Sequence, residues 1–185
     1  MTKPMTGGRR RVDRVLAPDF LEGLESLPLA EVRLLRKEAE QEEADLSFAR
    51  RMLHGRMDIL RAEQARRQNP EGGSIVDQLS QILADPSRSS HGMGRHITVE
   101  PSRVDEHRRK EEAIVADAEM SDVAHRTDAE LVEALDRLRE TEQEVSEVRR
   151  DVQRVMDALT AEIGRRYREG EASVDDLLKP AGDAG

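Results

Sequence analysis

Residues 141–159 read TEQEVSEVRRDVQRVMDAL. Within them Glu142, Ser146, Arg149, Gln153 and Asp157 recur at steps of +4, +3, +4 and +4. On a helix turning 100° per residue these five fall within an arc of about 80°. They form a polar line about four turns long on one helix face. The same line occurs 99 residues earlier as Glu43, Ser47, Arg50, His54 and Asp58, with histidine in place of glutamine.

The match extends beyond the line. Aligning residues 30–67 with 129–166 gives 13 identities in 38 positions, among them Glu31/Glu130, Arg51/Arg150, Met57/Met156, Leu60/Leu159 and Glu63/Glu162. The chain therefore carries two copies of one helix. Apolar positions correspond too: Leu46/Val145, Ala49/Val148, Leu53/Val152 and Leu60/Leu159. With Leu35, Ala39, Leu131, Leu135 and Leu138 they draw a seam close to heptad spacing. A single helix leaves that seam in water. At about 25 cal/mol per Å² the simplest burial is an intramolecular antiparallel hairpin. The expected fold class is all-α, a long two-helix antiparallel coiled-coil hairpin with a flexible linker and disordered termini. The polar line sits one residue after the seam in each copy, so the ten polar residues are expected to converge over one groove.

Composition agrees. Of 185 residues, 37% are charged and 2% aromatic, too few large apolar groups for a thick core. No apolar run approaches 18 residues, so no membrane span is expected. No signal-peptide core follows Met1, which makes the cytoplasm the expected compartment. With no cysteine, thiolate and disulfide chemistry are excluded. A net charge of −9 opposes nonspecific DNA binding.

In chain order, residues 1–17, with the run Arg9 to Arg11, read as a disordered basic arm. Residues 18–68 read as a short helix over 18–26, a break at Leu27-Pro28, and a first long helix over 29–68 that Asn69-Pro70 stops. Residues 69–101 read as a linker with a short helix at 74–84. A phosphate loop within 87–96 is rejected, since it lacks the Gly-Lys-Ser/Thr ending and a preceding strand. Residues 102–169 hold the second helical region; its strong part begins at Thr127-Asp-Ala-Glu130, a capping box, and ends at Gly170. Residues 170–185 read as a loose tail.

The polar lines have a bland reading and a chemical one. Charged lines on helices usually mean i,i+4 salt bridges. Arginine, however, also pairs with guanine O6 and N7 and neutralises phosphate. A carboxylate accepts from a purine's N1–H and N2 amine. Two copies suit a symmetric ligand, such as a cyclic guanine dinucleotide. Enzyme chemistry finds no footing. His54, His91, His96, His107 and His125 are scattered. The two carboxylates of each line lie 15 residues apart, about 22 Å along a helix, too far for acid–base work on one bond. Ser47 and Ser146 lack a base, and Met52, Met57 and Met156 read as packing residues. Gly55 reads either as a close approach to a ligand or as a tolerated helical glycine.

These residues resemble the actinobacterial RsiG family of anti-sigma factors, whose motif Glu-x3-Ser-x2-Arg-x3-Gln-x3-Asp occurs twice on two antiparallel helices. The second copy here matches in full, and the first departs at His54, where a weaker or pH-dependent contact is expected. The resemblance implies no enzymatic reaction, a monomeric hairpin and an intercalated pair of cyclic di-GMP molecules. The implied site is Glu43, Ser47, Arg50, His54, Asp58, Glu142, Ser146, Arg149, Gln153 and Asp157, with Arg51, Arg56, Arg150 and Arg154 near the phosphates. It further implies that the loaded protein holds a sporulation sigma factor of the flagellar class (WhiG-type) away from RNA polymerase. The competing expectation is a helical hairpin used only for scaffolding or dimerisation. Before ligand arrives, the helices are expected to have no bridge on the polar side.

Overall fold

Two uninterrupted amphipathic stretches become two long helices. The computed structural model describes residues 4, 5, 7–68 and 123–170. Helix α1 is Arg11–Val15, α2 is Leu29–Gln68 and α3 is Asp128–Arg168. Single 3-10 turns, Leu24–Ser26 and Val123–His125, precede α2 and α3. No strand occurs among the described residues. The expected helix at 74–84, the rejected loop at 87–96, the region 102–121 and the tail from 171 lie outside them.

Neither long helix contains proline, and each carries one interior glycine, Gly55 and Gly164. Helix α2 starts where the sequence places it, with the carbonyl of Pro28 accepting from the amides of Glu31 and Val32. Helix α3 opens on the expected capping box. Thr127 N–H donates to Glu130 Oε2 at 2.7 Å, and Glu130 N–H donates back to Thr127 Oγ1 at 3.3 Å. It closes at Gly170, whose φ of 73° a side chain would oppose. Intrahelical pairs such as Arg36–Glu40, Arg61–Asp58 and Arg137–Glu133 add a few tenths of a kcal/mol each.

The two long helices pack against each other along heptad seams. In α2, Val32, Ala39, Leu46, Leu53 and Leu60 are buried at strict seven-residue steps, with Ala49 and Met57 beside them. In α3, Val145, Val152 and Leu159 keep the same step, with Leu131 two steps before Val145, joined by Ala134, Leu135 and Val148. Leu35 and Leu138 are half-buried. Val32 enters the seam although the sequence reading chose Leu35, because a strict step of seven back from Ala39 lands on Val32.

The chain divides into two compact units, Met1–Ala44 with Glu147–Gly185, and Asp45–Ser146. We call them the first and second unit. In each, the helices run antiparallel: Arg33 meets Tyr167 and Glu43 meets Arg149 in the first, while Arg50 meets Glu142 and Arg67 meets Asp128 in the second. The second unit has a defined apolar cluster of Met57, Leu60, Leu131, Ala134 and Leu135, with Val123 and Leu138 against it.

Both units use one clamp at a helix end. In the second, buried Glu63 accepts from Arg66 Nε at 2.8 Å and from Arg67 Nε at 2.7 Å. Arg67 then reaches the carbonyls of Val123 and Ala124 and the carboxylate of Asp128, at the start of α3. In the first, Glu162 accepts from Arg165 Nε at 2.9 Å and Arg166 Nε at 2.6 Å. Arg166 reaches the carbonyls of Leu24, Glu25 and Leu27, at the start of α2. The last turn of each long helix thus supplies donors to the turn that precedes the other.

The N-terminal arm differs from expectation over residues 11–15, where a turn of helix stands instead of loose chain. Its cause is Asp13, a local organiser that periodicity does not reveal. The Asp13 carboxylate accepts from the Arg10 guanidinium and from the amides of Met5 and Arg10. The Arg10 guanidinium, with those amides, holds its pKa down at about 2 against burial. Arg14 pairs with Glu38, Arg11 lies 3.7 Å from Glu42, and Val12 and Val15 are buried.

Candidate functional site

The polar lines become two clusters, one in each unit, and each joins residues from both motif copies. In the second unit Glu142 is the centre. Its Oε1 accepts from Arg50 Nε at 2.8 Å and from Ser146 Oγ at 2.8 Å, and lies 3.1 Å from His54 Nε2. Burial pushes the Glu142 carboxyl up, but the bonds from Arg50, Ser146 and His54 outweigh it and hold the pKa at about 2. All three contacts converge on one oxygen. Among the described residues the other oxygen, Oε2, has no partner, nor do Arg50 Nη1 and Nη2 or His54 Nδ1. A fixed carboxylate oxygen and a pair of guanidinium nitrogens are therefore available together.

In the first unit Glu43 takes the same place. Its Oε1 accepts from Arg149 Nε and from Gln153 Nε2, each at 3.1 Å. The glutamate of each copy therefore meets the arginine of the other. The first cluster is more enclosed: the Glu43 side chain is 9% exposed against 20% for Glu142, and Arg149 26% against 40% for Arg50.

Seven of the ten residues singled out in sequence are brought together this way. Asp58 binds Arg61 instead, at 2.8 Å, and Asp157 makes no hydrogen bond or ion pair among the described residues. Ser47 lies half-buried on α2. The expectation that nothing bridges the helices on this side is corrected: Arg50–Glu142 and Arg149–Glu43 are both cross-helix pairs. The reason is simple charge economy, since adjacent arginines and carboxylates pair with each other rather than stay solvated. The sequence reading missed Arg61 as the partner of Asp58, although their three-residue spacing announces it.

A groove of about 780 Å³ lies elsewhere in the first unit, lined by Leu21, Leu24, Ala158, Ala161, Arg165 and Arg168 among others. No motif residue lines it. No helix of the described residues is long and apolar enough to cross a membrane. Among the described residues no group of three or more histidines and carboxylates is placed to hold a metal ion.

No curated protein matches the chain. The model of the RsiG-like family matches residues 18–83 and 117–181, more than half of the chain, and each matched segment holds one copy of the motif. Membership implies a regulatory, anti-sigma role rather than an enzymatic one. The duplicated motif, the paired long helices and this match agree: the chain belongs to the RsiG-like family.

Proposed function

We propose that the protein is a cyclic di-GMP-binding anti-sigma factor. Loaded with the nucleotide, it sequesters a sporulation sigma factor of the flagellar, WhiG-type class from RNA polymerase in the cytoplasm. One observation carries the reading. In the Glu142 cluster, three contacts meet on Oε1, while Oε2 and the Arg50 terminal nitrogens have no partner among the described residues. Guanine offers N1–H and N2–H donors beside the O6 and N7 acceptors, so this half-satisfied carboxylate and guanidinium suit its edges. A phosphate alone would be repelled by Glu142. The Glu43–Arg149–Gln153 cluster repeats the glutamate–arginine pair, with glutamine where the other has histidine, which suits a ligand presented twice, as in an intercalated pair. The remaining sequence-designated residues, Ser47, Asp58 and Asp157, complete the proposed site.

Ligand and sigma factor are coupled in this reading, so each tightens the other's binding by the same factor. Calorimetry with cyclic di-GMP should give a ligand-to-protein ratio near two, and sigma factor should lower the apparent Kd. Arg50→Ala and Arg149→Ala should each weaken binding about tenfold or more, as expected for loss of a charge-assisted contact. Absence of binding both with and without sigma factor would refute the proposal.

A second reading, a hairpin scaffold or dimerisation protein with no nucleotide ligand, draws on the same cross-helix pairs, which close the hairpin by themselves. Cyclic di-GMP would then leave the melting temperature unchanged, whereas a ligand of the folded state raises it.

A further inference from the structure

The two clusters differ at one motif position, and the difference is one of protons. Gln153 donates its amide nitrogen to Glu43 and keeps a carbonyl oxygen, an acceptor at every pH. His54 faces Glu142 through Nε2. When neutral and donating from Nε2, it keeps Nδ1 as an acceptor and so imitates glutamine. A second proton turns Nδ1 into a donor and adds a positive charge, while the contact with Glu142 is kept.

Resting on the nucleotide-binding reading above, we infer that His54 makes the Glu142 cluster proton-sensitive, so that it takes the dianionic cyclic dinucleotide more tightly in mild acid while the Glu43 cluster does not respond. His54 lies 3.1 Å from Glu142 Oε1 of α3, the oxygen that also accepts from Arg50 and Ser146, and Asp58 follows four residues later on α2. Glu142 is held ionised down to about pH 2 and Asp58 is paired with Arg61. Phosphodiesters also stay ionised. Imidazole is the side-chain type whose charge ordinarily changes near neutral pH.

Two effects oppose each other. Reversing Nδ1 from acceptor to donor removes whatever it accepts from the ligand. The His54 side chain is 47% exposed, so water takes over that contact at little cost. The added charge is not replaced by water in the same way, and it acts on an anion. Charge therefore decides the sign. Its size is that of one exposed ion pair, about two- to fivefold in affinity at low salt.

The experiment is calorimetric titration of the full chain with cyclic di-GMP at about pH 6 and about pH 8, at fixed ionic strength. Wild type should bind about two- to fivefold more tightly at the lower pH. His54→Gln should bind with no such dependence, and Gln153→His should steepen the wild-type dependence. A pH-independent wild type, weaker binding in acid, or an undiminished slope in His54→Gln would overturn the inference while leaving nucleotide binding intact. No binding by any of the three chains at either pH would instead overturn the nucleotide reading, and the inference with it.

Discussion

The two units are built from one duplicated helix, yet they have diverged unevenly. At the helix ends they remain alike. Glu63 with Arg66 and Arg67, and Glu162 with Arg165 and Arg166, make the same clamp onto the turn before the opposite helix. In the polar clusters the glutamate–arginine exchange is kept, but glutamine in one is histidine in the other. The first unit also has α1, with Arg11 near Glu42 and Arg14 on Glu38, and its cluster is the less exposed. Identical residues give identical contacts where the contact is structural. The divergence falls where a ligand is proposed to sit, so the clamps hold the fold and leave the clusters open to change.

The largest effect should come from the seam. Leu60 is 1% exposed and Leu159 is fully buried; they are the same position in the two copies. Leu60→Ala and Leu159→Ala should each cost about 2–5 kcal/mol, by lost transfer energy plus the cavity left behind. Urea denaturation followed by helical circular dichroism measures both. A loss below about 1 kcal/mol in either would mean that unit's seam is not closed as described.

The clamps come next. Arg166 is buried and binds three carbonyls besides Glu162, so Arg166→Ala strands several acceptors. It should cost about 2 kcal/mol by the same assay. Arg67 is more exposed and its two carbonyl contacts are long, at 3.3 Å, so Arg67→Ala should cost less. The reverse order would break the ranking of the two ends. Acid probes the same clamp. The Arg66 and Arg67 guanidiniums hold Glu63 at about 2, and Arg165 and Arg166 do so for Glu162. A carboxylate whose folded pKa lies below its unfolded value stabilises fully above the unfolded value, about 4.3, and loses that stability as pH falls toward the folded one. The urea midpoint should therefore fall from about pH 5 toward pH 2. Glu63→Gln, already weaker at neutral pH, should fall less.

Much of this was legible in the sequence because it is periodic. The bounds of α2, the capping box at Thr127, the stop at Gly170 and most seam residues follow from spacing and end signals. The residue types of the clusters were legible as well, since two copies 99 positions apart mark them. Their pairing was not. Sequence shows that Arg50 and Glu142 lie on polar faces, but which charge meets which depends on helix stagger, and several staggers bury the same seam. The clamp left a signal, the Glu-x2-Arg-Arg identity in both copies, whose reach to the opposite turn no spacing discloses. Helix α1 is too short for a period, and one carboxylate, Asp13, gathers it.

The smallest contrast concerns how the two long helices begin. Thr127 caps α3 with its hydroxyl, and Glu130 returns the bond to the Thr127 amide. Pro28, in front of α2, has no side-chain acceptor, so only its carbonyl serves the first turn. The first unit compensates by sending Arg166 to the carbonyls of the preceding turn, which fixes the entry of α2 without capping its amides. The two starts should then respond differently. Thr127→Ala should cost about 1 kcal/mol, with Thr127→Asn or Thr127→Asp close to wild type, because either side chain can accept from the Glu130 amide. Pro28→Ser supplies the missing acceptor and should stabilise, by less than about 1 kcal/mol since proline already restricts the unfolded chain. Urea midpoints decide both. If Thr127→Ala is neutral, contacts from Arg67 already hold the start of α3, and the two ends work by the clamp alone.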